Sequence, residues 1–389
     1  MIAHPRVIRW LAAVISGVAL FLACWIFLPA PTYFLLTFGV GAPEVSAWLL
    51  VGAAVGIALA LRDVQRSRVA RIAVAAGVIA LCLASTPFLR LHSTIAHFDD
   101  EMDGFMAVPR SPQRAHPVVA ADLFRGIPSR SARVQHGIRF GAPDGIPLTL
   151  DVYRPMRAGV YPIVVQIYGG AWQRGTPLNN ANFSEWLAAS GYVVIAVDYR
   201  HAPRSRWPDQ LDDIDSSLVW IREHATAYGG DTARVVLLGR SAGAHLAMMA
   251  AYRRPPLRVR GVVSYYGPAY LADAYAHPPR PDPLDIRSTE IALLGAPPST
   301  MPARYADASP ISFLNHPQPA TLLIQGGRDH IVEAEYGPRL REALVRSGSY
   351  VAYLEIPWAE HAFDAVFNGP SSQLALYYTE RFIAWAVEH

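Results

Sequence analysis

The chain has 389 residues, more than one compact domain usually holds, and a formal net charge of +3. Hydrophobic residues make up 52% of it and charged residues 17%, below the roughly 25% of soluble domains, so the composition predicts membrane segments joined to a soluble part. The small net charge, with no basic run, argues against a nucleic-acid partner. Its two cysteines, Cys24 and Cys82, lie in apolar stretches, and the remainder has neither a disulfide framework nor a cysteine metal site.

Three uncharged apolar runs near the N-terminus predict three transmembrane helices, over residues 10–28, 45–61 and 72–89. Each approaches the ~20 residues needed to cross a bilayer core. Two alternatives stay open. The first run could be a cleaved signal peptide, and the apolar stretch at 29–43 could be a loop, a re-entrant segment or part of a longer helix.

The placement of arginine predicts the orientation in the membrane. Arg6 and Arg9 precede the first run, and the loop between the first and second runs has no arginine. Four arginines separate the second run from the third: Arg62, Arg66, Arg68 and Arg71. We therefore expect a multi-pass protein of the cytoplasmic membrane, with its N-terminus inside and its C-terminal domain on the extracytoplasmic side.

The expected organisation is a membrane anchor over residues 1–95, a proline-rich linker with little regular structure over 96–130, and one domain over 131–389. In that domain short apolar runs alternate with helical patterns, which predicts a mostly parallel sheet with helices on both faces. The predicted strands are 146–153, 162–168, 192–197, 235–238, 259–265, 321–325 and 351–356, and the predicted helices are 182–190, 208–228, 242–252, 333–347 and 371–389.

A proline-rich stretch at residues 268–315 interrupts this alternation. We interpret it as an insertion over the carboxyl ends of the strands, where folds of this class bind ligands. The insertion is a candidate cap for a site at that edge of the sheet.

The run Gly239-Arg240-Ser241-Ala242-Gly243 follows the strand predicted at 235–238 and opens an apolar helix. Gly-x-Ser-x-Gly at a strand–turn–helix junction is typical of a nucleophile elbow, whose strained turn projects a serine hydroxyl from the top of the sheet. The helix N-terminus adds a field that favours developing negative charge. The pentapeptide alone also fits a plain turn, but its setting predicts Ser241 as a nucleophile.

A nucleophilic serine needs a base, and the base needs a carboxylate that fixes its tautomer. In α/β hydrolases the chain order is Ser, then the acid, then His. Asp329 and His361 each lie just past a predicted strand, so both leave the carboxyl edge of the sheet. We predict a catalytic triad of Ser241, Asp329 and His361. An ordinary turn aspartate and a surface histidine are the alternatives, and His330 is a rival histidine that adjoins the acid itself.

A tetrahedral intermediate needs preorganised hydrogen-bond donors for its oxyanion. Tyr168-Gly169-Gly170-Ala171-Trp172 follows the strand predicted at 162–168, and glycine lets backbone N–H groups face a ligand. The amide of Ala242, next after the nucleophile, is the expected further donor. A plain glycine turn is the alternative reading.

These motifs resemble the hormone-sensitive-lipase and feruloyl-esterase-like (BD-FAE-like) branch of the α/β hydrolases over residues 135–389. The branch's His-Gly-Gly-Gly motif is similar to residues 168–171 here. The resemblance implies that the amides of Gly170, Ala171 and Ala242 form the oxyanion hole, and Gly169 and Trp172 are candidate substrate contacts.

Two residues depart from that motif, because Tyr168 replaces its His and Ala171 its last Gly. A backbone donor survives the second change if the local φ is negative. The segment at 198–203, Asp-Tyr-Arg-His-Ala-Pro, resembles the branch's Tyr-Arg-x-x-Pro segment.

The sequence thus predicts an α/β-hydrolase fold after three transmembrane helices, and a carboxylesterase that works through an acyl-enzyme without metal or organic cofactor. Its expected partners are the membrane and a small-molecule or lipid ester, with no nucleic acid. The same triad would also serve a lipase, an envelope-glycan deacetylase, a peptidase or an acyltransferase. A hydrolase-like domain without catalysis, used for binding, is the alternative of a different class.

Overall fold

The computed structural model describes residues 5–104, 114–253 and 255–389. The N-terminal region contains four helices: α1 (Pro5–Cys24), α2 (Tyr33–Glu44), α3 (Ser46–Leu61) and α4 (Arg68–Asp103). Helices α1, α3 and α4 pack against one another, and small residues fill their interior: Ala19, Ala23, Ala53, Ala80 and Ala84. At Gly56 a Cβ would lie 2.3 Å from Ser16 Oγ, so these helices approach as closely as small residues permit.

Large apolar side chains face outward on the same helices, among them Trp10, Val14, Val18, Val51, Val55, Ile72 and Ile79. Helices that pack through small residues and expose large apolar side chains are typical of a lipid environment rather than of water. α1 and α4 are long and apolar enough to cross a membrane, and α2 with α3 form a pair bent by 81° that would make a third span if counted as one. A count of three spans remains a prediction.

The prediction of a linker with little regular structure at residues 96–130 is wrong for its first part, because α4 continues unbroken to Asp103. Residues 105–113 lie outside the described parts of the chain. Beyond them Arg114 is buried and donates to Gln373 Oε1 at 2.7 Å, and a short helix α5 (Asp122–Arg125) follows. Buried polar contacts hold this stretch to the catalytic domain, so it is not the loose tether that its prolines indicated.

The last turns of α4 belong to the C-terminal core. Phe98 and Met102 are fully buried there. Glu101 receives two hydrogen bonds from Arg341, at 2.9 and 3.2 Å, and a third at 3.2 Å from the backbone N–H of Tyr353.

The C-terminal domain is built on an eight-stranded sheet in the order β1-β2-β4-β3-β5-β6-β7-β8. β1 pairs antiparallel with β2 and β2 antiparallel with β4, and the other neighbours are parallel. The strands are β1 (Arg133–Gly141), β2 (Leu148–Arg154), β3 (Tyr161–Ile167), β4 (Val193–Val197), β5 (Gly230–Arg240), β6 (Val259–Tyr265), β7 (Ala320–Gly326) and β8 (Val351–Ile356).

The helices of this domain are α6 (Ala181–Ala189), α7 (Asp209–His224), α8 (Ala242–Tyr252), α9 (Leu271–Ala276), α10 (Ile286–Leu294), α11 (Pro302–Asp307), α12 (Tyr336–Arg346) and α13 (Pro370–Ala386). Side chains alternate along the buried strands, so Ile163 and Val165 join one core cluster and Val164 the other. α7, α8 and α12 cover the first face, while α6, α13 and the end of α4 cover the second. The mostly parallel α/β architecture predicted from the sequence is confirmed.

β1 is the strand that the sequence analysis missed. Its first residues are exposed, and its sequence Arg-Val-Gln-His-Gly carries no apolar run. Ile138 and Phe140, near its end, pack against the core, but two alternating apolar residues are too short a periodic signal, and the pairing with β2 is what identifies β1 as a strand.

Residues 268–315 form three short helices, α9 to α11, beside the carboxyl ends of β6 and β7. Leu271, Leu293 and Tyr305 are buried in the core cluster of the first face. The predicted insertion is therefore packed into the domain at the edge of the sheet that carries the candidate site.

We predict that Phe98→Ala destabilises the protein by about 3–5 kcal/mol, because it empties a fully buried ring site in the C-terminal core. Leu89→Ala on the same helix is the control, since that side chain is 76% exposed and its loss should change stability by less than about 0.5 kcal/mol. Thermal unfolding of the full chain in detergent, followed by tryptophan fluorescence, measures both. Equal unfolding midpoints in the two variants would contradict the packing of α4 described here.

Candidate active site

Ser241 occupies a sharp turn between β5 and α8. Its backbone has φ +52° and ψ −121°, a conformation that L-residues rarely adopt. A Cβ at Gly239 would lie 2.2 Å from the carbonyl oxygen of Gly243, and one at Gly243 would lie 2.2 Å from that of Ile167. Both glycines of the pentapeptide are therefore required by the close approach of backbone to backbone, and the serine is presented at the carboxyl edge of the sheet.

Three side chains from separate loops meet at this turn. His361 Nε2 lies 3.0 Å from Ser241 Oγ, and His361 Nδ1 lies 2.8 Å from Asp329 Oδ2. The carboxylate accepts further hydrogen bonds at 2.8 Å from the amides of Ile331 and Val332. With Asp329 acting only as an acceptor, Nδ1 carries the ring proton and Nε2 is left free to accept the serine proton.

The rival histidine is held elsewhere. His330 Nδ1 lies 2.5 Å from Glu360 Oε2, and this hydrogen bond raises the pKa of His330. Glu360 Oε1 also accepts the backbone N–H groups of His330, at 2.7 Å, and His361, at 2.9 Å. Glu360 therefore joins the loop of the acid to the loop of the candidate base, a role that the sequence analysis did not assign.

The predicted oxyanion loop has an unusual backbone. Gly170 has φ +141°, and Ala171 and Trp172 have φ +55° and +58°. The negative φ that we required for a donor at Ala171 is thus not observed. A left-handed L-residue costs roughly 1–2 kcal/mol, which the packing of the loop must offset. Among the described residues, no backbone carbonyl accepts a hydrogen bond from the amides of Gly170, Ala171 or Ala242.

Tyr168 anchors this loop in place of the motif's histidine. Its hydroxyl donates to Asp198 Oδ1 at 2.5 Å and lies 2.9 Å from His201 Nε2. Its ring stacks on Tyr199 with centroids 4.5 Å apart. Residue 168 and the segment at 198–203 therefore form one structural unit, although the sequence analysis compared them with the family separately.

Trp172 is fixed from the other side by a buried histidine. Its Nε1–H donates to His245 Nδ1 at 3.1 Å, and His245 Nε2–H donates to the carbonyl of Ala308 at 2.7 Å. These two bonds require the neutral imidazole with its proton on Nε2. Burial lowers the pKa of His245 to about 4. The oxyanion loop, α8 and the 268–315 insertion are thus joined at one uncharged ring.

A buried ion pair lies under the site and was not found from the sequence. Arg240 pairs through Nε with Asp364, and Tyr266 donates its hydroxyl to the same carboxylate. The Tyr266 ring lies 4.5 Å from the His361 ring. Arg240 is the first variable residue of the Gly-x-Ser-x-Gly motif. The sequence gives no signal that it forms an ion pair with a residue 124 positions away.

Two cavities meet at Ser241. A cleft of about 650 Å³ is bounded by Ser241, His361, Gly169, Gly170 and, on its opposite wall, by residues of α2. A narrower cavity of about 40 Å³ touches Ser241, Ala171 and Trp172 and continues under the insertion. Both candidate substrate contacts, Gly169 and Trp172, therefore border space beside the serine.

The smaller cavity contains one buried acid. Glu290 lies in its wall, and burial raises the pKa of this carboxyl to about 9. At neutral pH the group is uncharged and places no charge against a bound apolar chain.

Comparison with known proteins gives consistent matches. The BD-FAE family model matches residues 150–344, half of the chain. Two relatives come from Mycobacterium tuberculosis (strain ATCC 25618 / H37Rv). "Probable carboxylic ester hydrolase LipM" is 30% identical over 261 residues, which are 62% of this chain and 59% of that protein. "Esterase LipC" is 31% identical over 270 residues, 65% and 64% of the respective lengths. The chain thus spans less than two thirds of either relative.

A solved structure shows the same fold. Esterase B from Lactobacillus rhamnosis matches with a TM-score of 0.58 and 18% identity, over 78% of this chain and 96% of that one. At this level of identity the likeness concerns the fold alone.

We predict that acid weakens the fold through His245. Its pKa is lowered from 6.5 to about 4, so between these values the unfolded chain binds a proton that the folded chain refuses. The contribution is fully present above pH 6.5 and is lost as pH falls to about 4, by up to about 3 kcal/mol. His245→Gln removes this titration, so its unfolding midpoint should fall less than that of the wild type between pH 7 and pH 4.5. Parallel pH curves for the two proteins would contradict the assignment.

Proposed function

The chain belongs to the BD-FAE family of α/β hydrolases, and on that premise we propose that it is a serine hydrolase that cleaves carboxylic esters. Ser241 is the nucleophile, His361 the general base and Asp329 the residue that orients the imidazole. The observation that carries the proposal is the unbroken series of hydrogen bonds, 3.0 and 2.8 Å long, from the serine hydroxyl through the imidazole to a carboxylate.

In the first half-reaction, His361 Nε2 takes the hydroxyl proton as Ser241 Oγ bonds to the ester carbonyl carbon. The carbonyl oxygen becomes an oxyanion, and the amides of Gly170, Ala171 and Ala242 donate to it. The intermediate collapses, the bond to the alcohol oxygen breaks, and His361 returns its proton to the departing alcohol. An acyl group remains on Ser241.

Water completes the reaction along the same route. His361 removes one proton from water as the oxygen attacks the acyl carbon, and the second intermediate expels Ser241 Oγ, which recovers the proton. Throughout, the Asp329 carboxylate orients the imidazole and stabilises the imidazolium. Four hydrogen bonds to it, from His361, Gln325 and two amides, fix its position.

We further propose that the N-terminal helices anchor this domain in the cytoplasmic membrane with three spans, and that the catalytic domain lies on the extracytoplasmic side. The arginines of the segment between α3 and α4 support this orientation. The domain bounds that go with it are an anchor at 1–95 and a catalytic domain at 131–389, with the end of α4 bridging the two.

We predict that a fluorophosphonate probe labels the full-length protein in detergent and that Ser241→Ala abolishes the label. Asp329→Asn should lower ester hydrolysis by roughly 10⁴-fold, because the imidazole then loses its tautomer and its counter-charge. His361→Gln should be as damaging, and His330→Gln should not. Ser216→Ala, an exposed serine on α7, is the matched control and should label like the wild type. Failure of the wild type to label would refute the enzyme assignment.

Cysteine labelling tests the orientation. In a variant that lacks Cys24 and Cys82, we place one cysteine either in the segment between α3 and α4 (Gln65→Cys) or on the catalytic domain (Arg157→Cys), both exposed positions. A membrane-impermeant maleimide added to intact cells, with the outer barrier permeabilised where the host has one, should label the second cysteine and not the first. The opposite pattern would reverse the proposed topology.

A further inference from the structure

A short helix from the N-terminal region forms one wall of the cleft in front of Ser241. α2 contributes Tyr33, Leu36, Thr37, Val40 and Gly41 to the lining. The facing wall holds Ser241, His361 and the oxyanion loop. A segment that precedes the family-matched residues 150–344 by more than a hundred positions thus forms part of the space where a substrate would bind.

α2 is held firmly in this position. Leu36 is buried and packs with Ile286, from the insertion, and with Ile331, next to the acid loop. The Arg174 guanidinium lies 4.7 Å from the centre of the Tyr33 ring, which ties the start of α2 to the oxyanion loop. At the other end, buried Glu44 accepts the amide of Ser371 at 3.0 Å. The wall is therefore fixed by apolar packing, a cation–π contact and a buried hydrogen bond.

The outer side of α2 continues the apolar surface of α1. Phe34 is 71% exposed, and its ring meets Phe38 edge-on with centroids 5.9 Å apart. Phe38 in turn meets Phe21 of α1 at 5.7 Å. Because α1 is long and apolar enough to cross a membrane, this aromatic series leads from a surface suited to lipid to the helix that walls the cleft.

The geometry of the proposed reaction assigns the two cavities to the two halves of an ester. His361 must give a proton to the departing alcohol, so the alcohol lies on the imidazole side, and His361 lines the 650 Å³ cleft. The residues that line the 40 Å³ cavity include Ser241 but not His361, so this cavity receives the acyl group. At about 40 Å³ against about 650 Å³, this cavity is much the smaller of the two, so it accommodates the shorter half of the ester.

From these observations, and resting on the proposed function, we propose that the substrate is an ester of a short acyl group with a long, lipid-soluble alcohol, which reaches Ser241 from the bilayer along α2. The small cavity limits the acyl chain, and the apolar α2 wall binds the alcohol.

Two isomeric esters test this division without a difference in total hydrophobicity. Hexadecyl acetate carries the long chain on the alcohol, and ethyl hexadecanoate carries it on the acyl group. With the full chain reconstituted in phosphatidylcholine vesicles that contain either ester, hexadecyl acetate should be hydrolysed with a kcat/KM at least about tenfold higher. A tenfold ratio corresponds to about 1.4 kcal/mol.

Variants of α2 then test the wall. Thr37 is exposed and lines the cleft, so Thr37→Trp fills the alcohol side without disturbing the core. It should lower kcat/KM for hexadecyl acetate at least about fivefold more than kcat/KM for phenyl acetate, whose short alcohol occupies less of the cleft. Val40→Trp, one turn further along the same wall, should act in the same direction. Ser216→Trp, at an exposed position on α7 that lines neither cavity, is the control and should change neither substrate.

The outcomes separate this inference from the function on which it rests. Loss of fluorophosphonate labelling in the wild type would remove both. Labelling and phenyl acetate hydrolysis with equal rates for the two isomers, with preference for ethyl hexadecanoate, or with neither long ester cleaved, would overturn the substrate class alone. Wild-type kinetics on hexadecyl acetate in both Thr37→Trp and Val40→Trp would overturn the role of α2.

Discussion

The left-handed turn at Ser241 is the constraint on which the proposed chemistry depends. A side chain in that conformation is strained, and the strain is tolerated because the turn is enclosed by backbone on both sides. The carbonyls that a Cβ at Gly239 or Gly243 would meet belong to α8 and to the end of β3. The same close approach brings the oxyanion loop after β3 against the serine, since a Cβ at Gly169 would lie 2.6 Å from the Arg240 carbonyl. The candidate nucleophile and the loop of the candidate oxyanion donors are therefore positioned by one backbone contact.

The parallel sheet also explains how Asp329 and His361 come close to Ser241. The loops after β7 and β8 leave the same edge of the sheet as the Ser241 turn, so Asp329 and His361 need only short loops to meet it. What remains is to fix those loops, and Glu360 does so by accepting amides from both. The loops of the candidate acid and the candidate base, which follow adjacent strands, are therefore joined through a carboxylate that is itself buried.

Local pattern was sufficient to predict the fold and to nominate the candidate triad residues, and it failed where contacts are distant in sequence. Two strands, at 259–265 and 351–356, and helix α8 were predicted with the bounds that the structure has, because buried parallel strands and an apolar helix after a glycine turn give dense local signals. Three features depend on contacts between residues distant in sequence, which no local window contains. They are the ion pair of Arg240 with Asp364, the hydrogen bonds that Glu360 accepts from His330, and the pairing of β1 with β2. Ala171 shows a subtler limit, since sequence alone did not indicate that its φ is positive.

The N-terminal region also makes distant contacts that the sequence did not predict, and these contacts make it part of the C-terminal domain's structure. Its apolar runs predicted membrane helices, but not that α4 would end inside the hydrolase core or that α2 would stand over the cleft. A chain that began after α4 would lose Phe98 and Met102 from the core and would leave the Tyr353 amide, on the edge strand β8, without its acceptor Glu101. It would also lose the wall opposite Ser241, so selectivity measured on such a fragment would describe a cleft open on one side. The N-terminal helices and the candidate active site are therefore parts of one folded unit, and the substrate preference of the site is expected to depend on both.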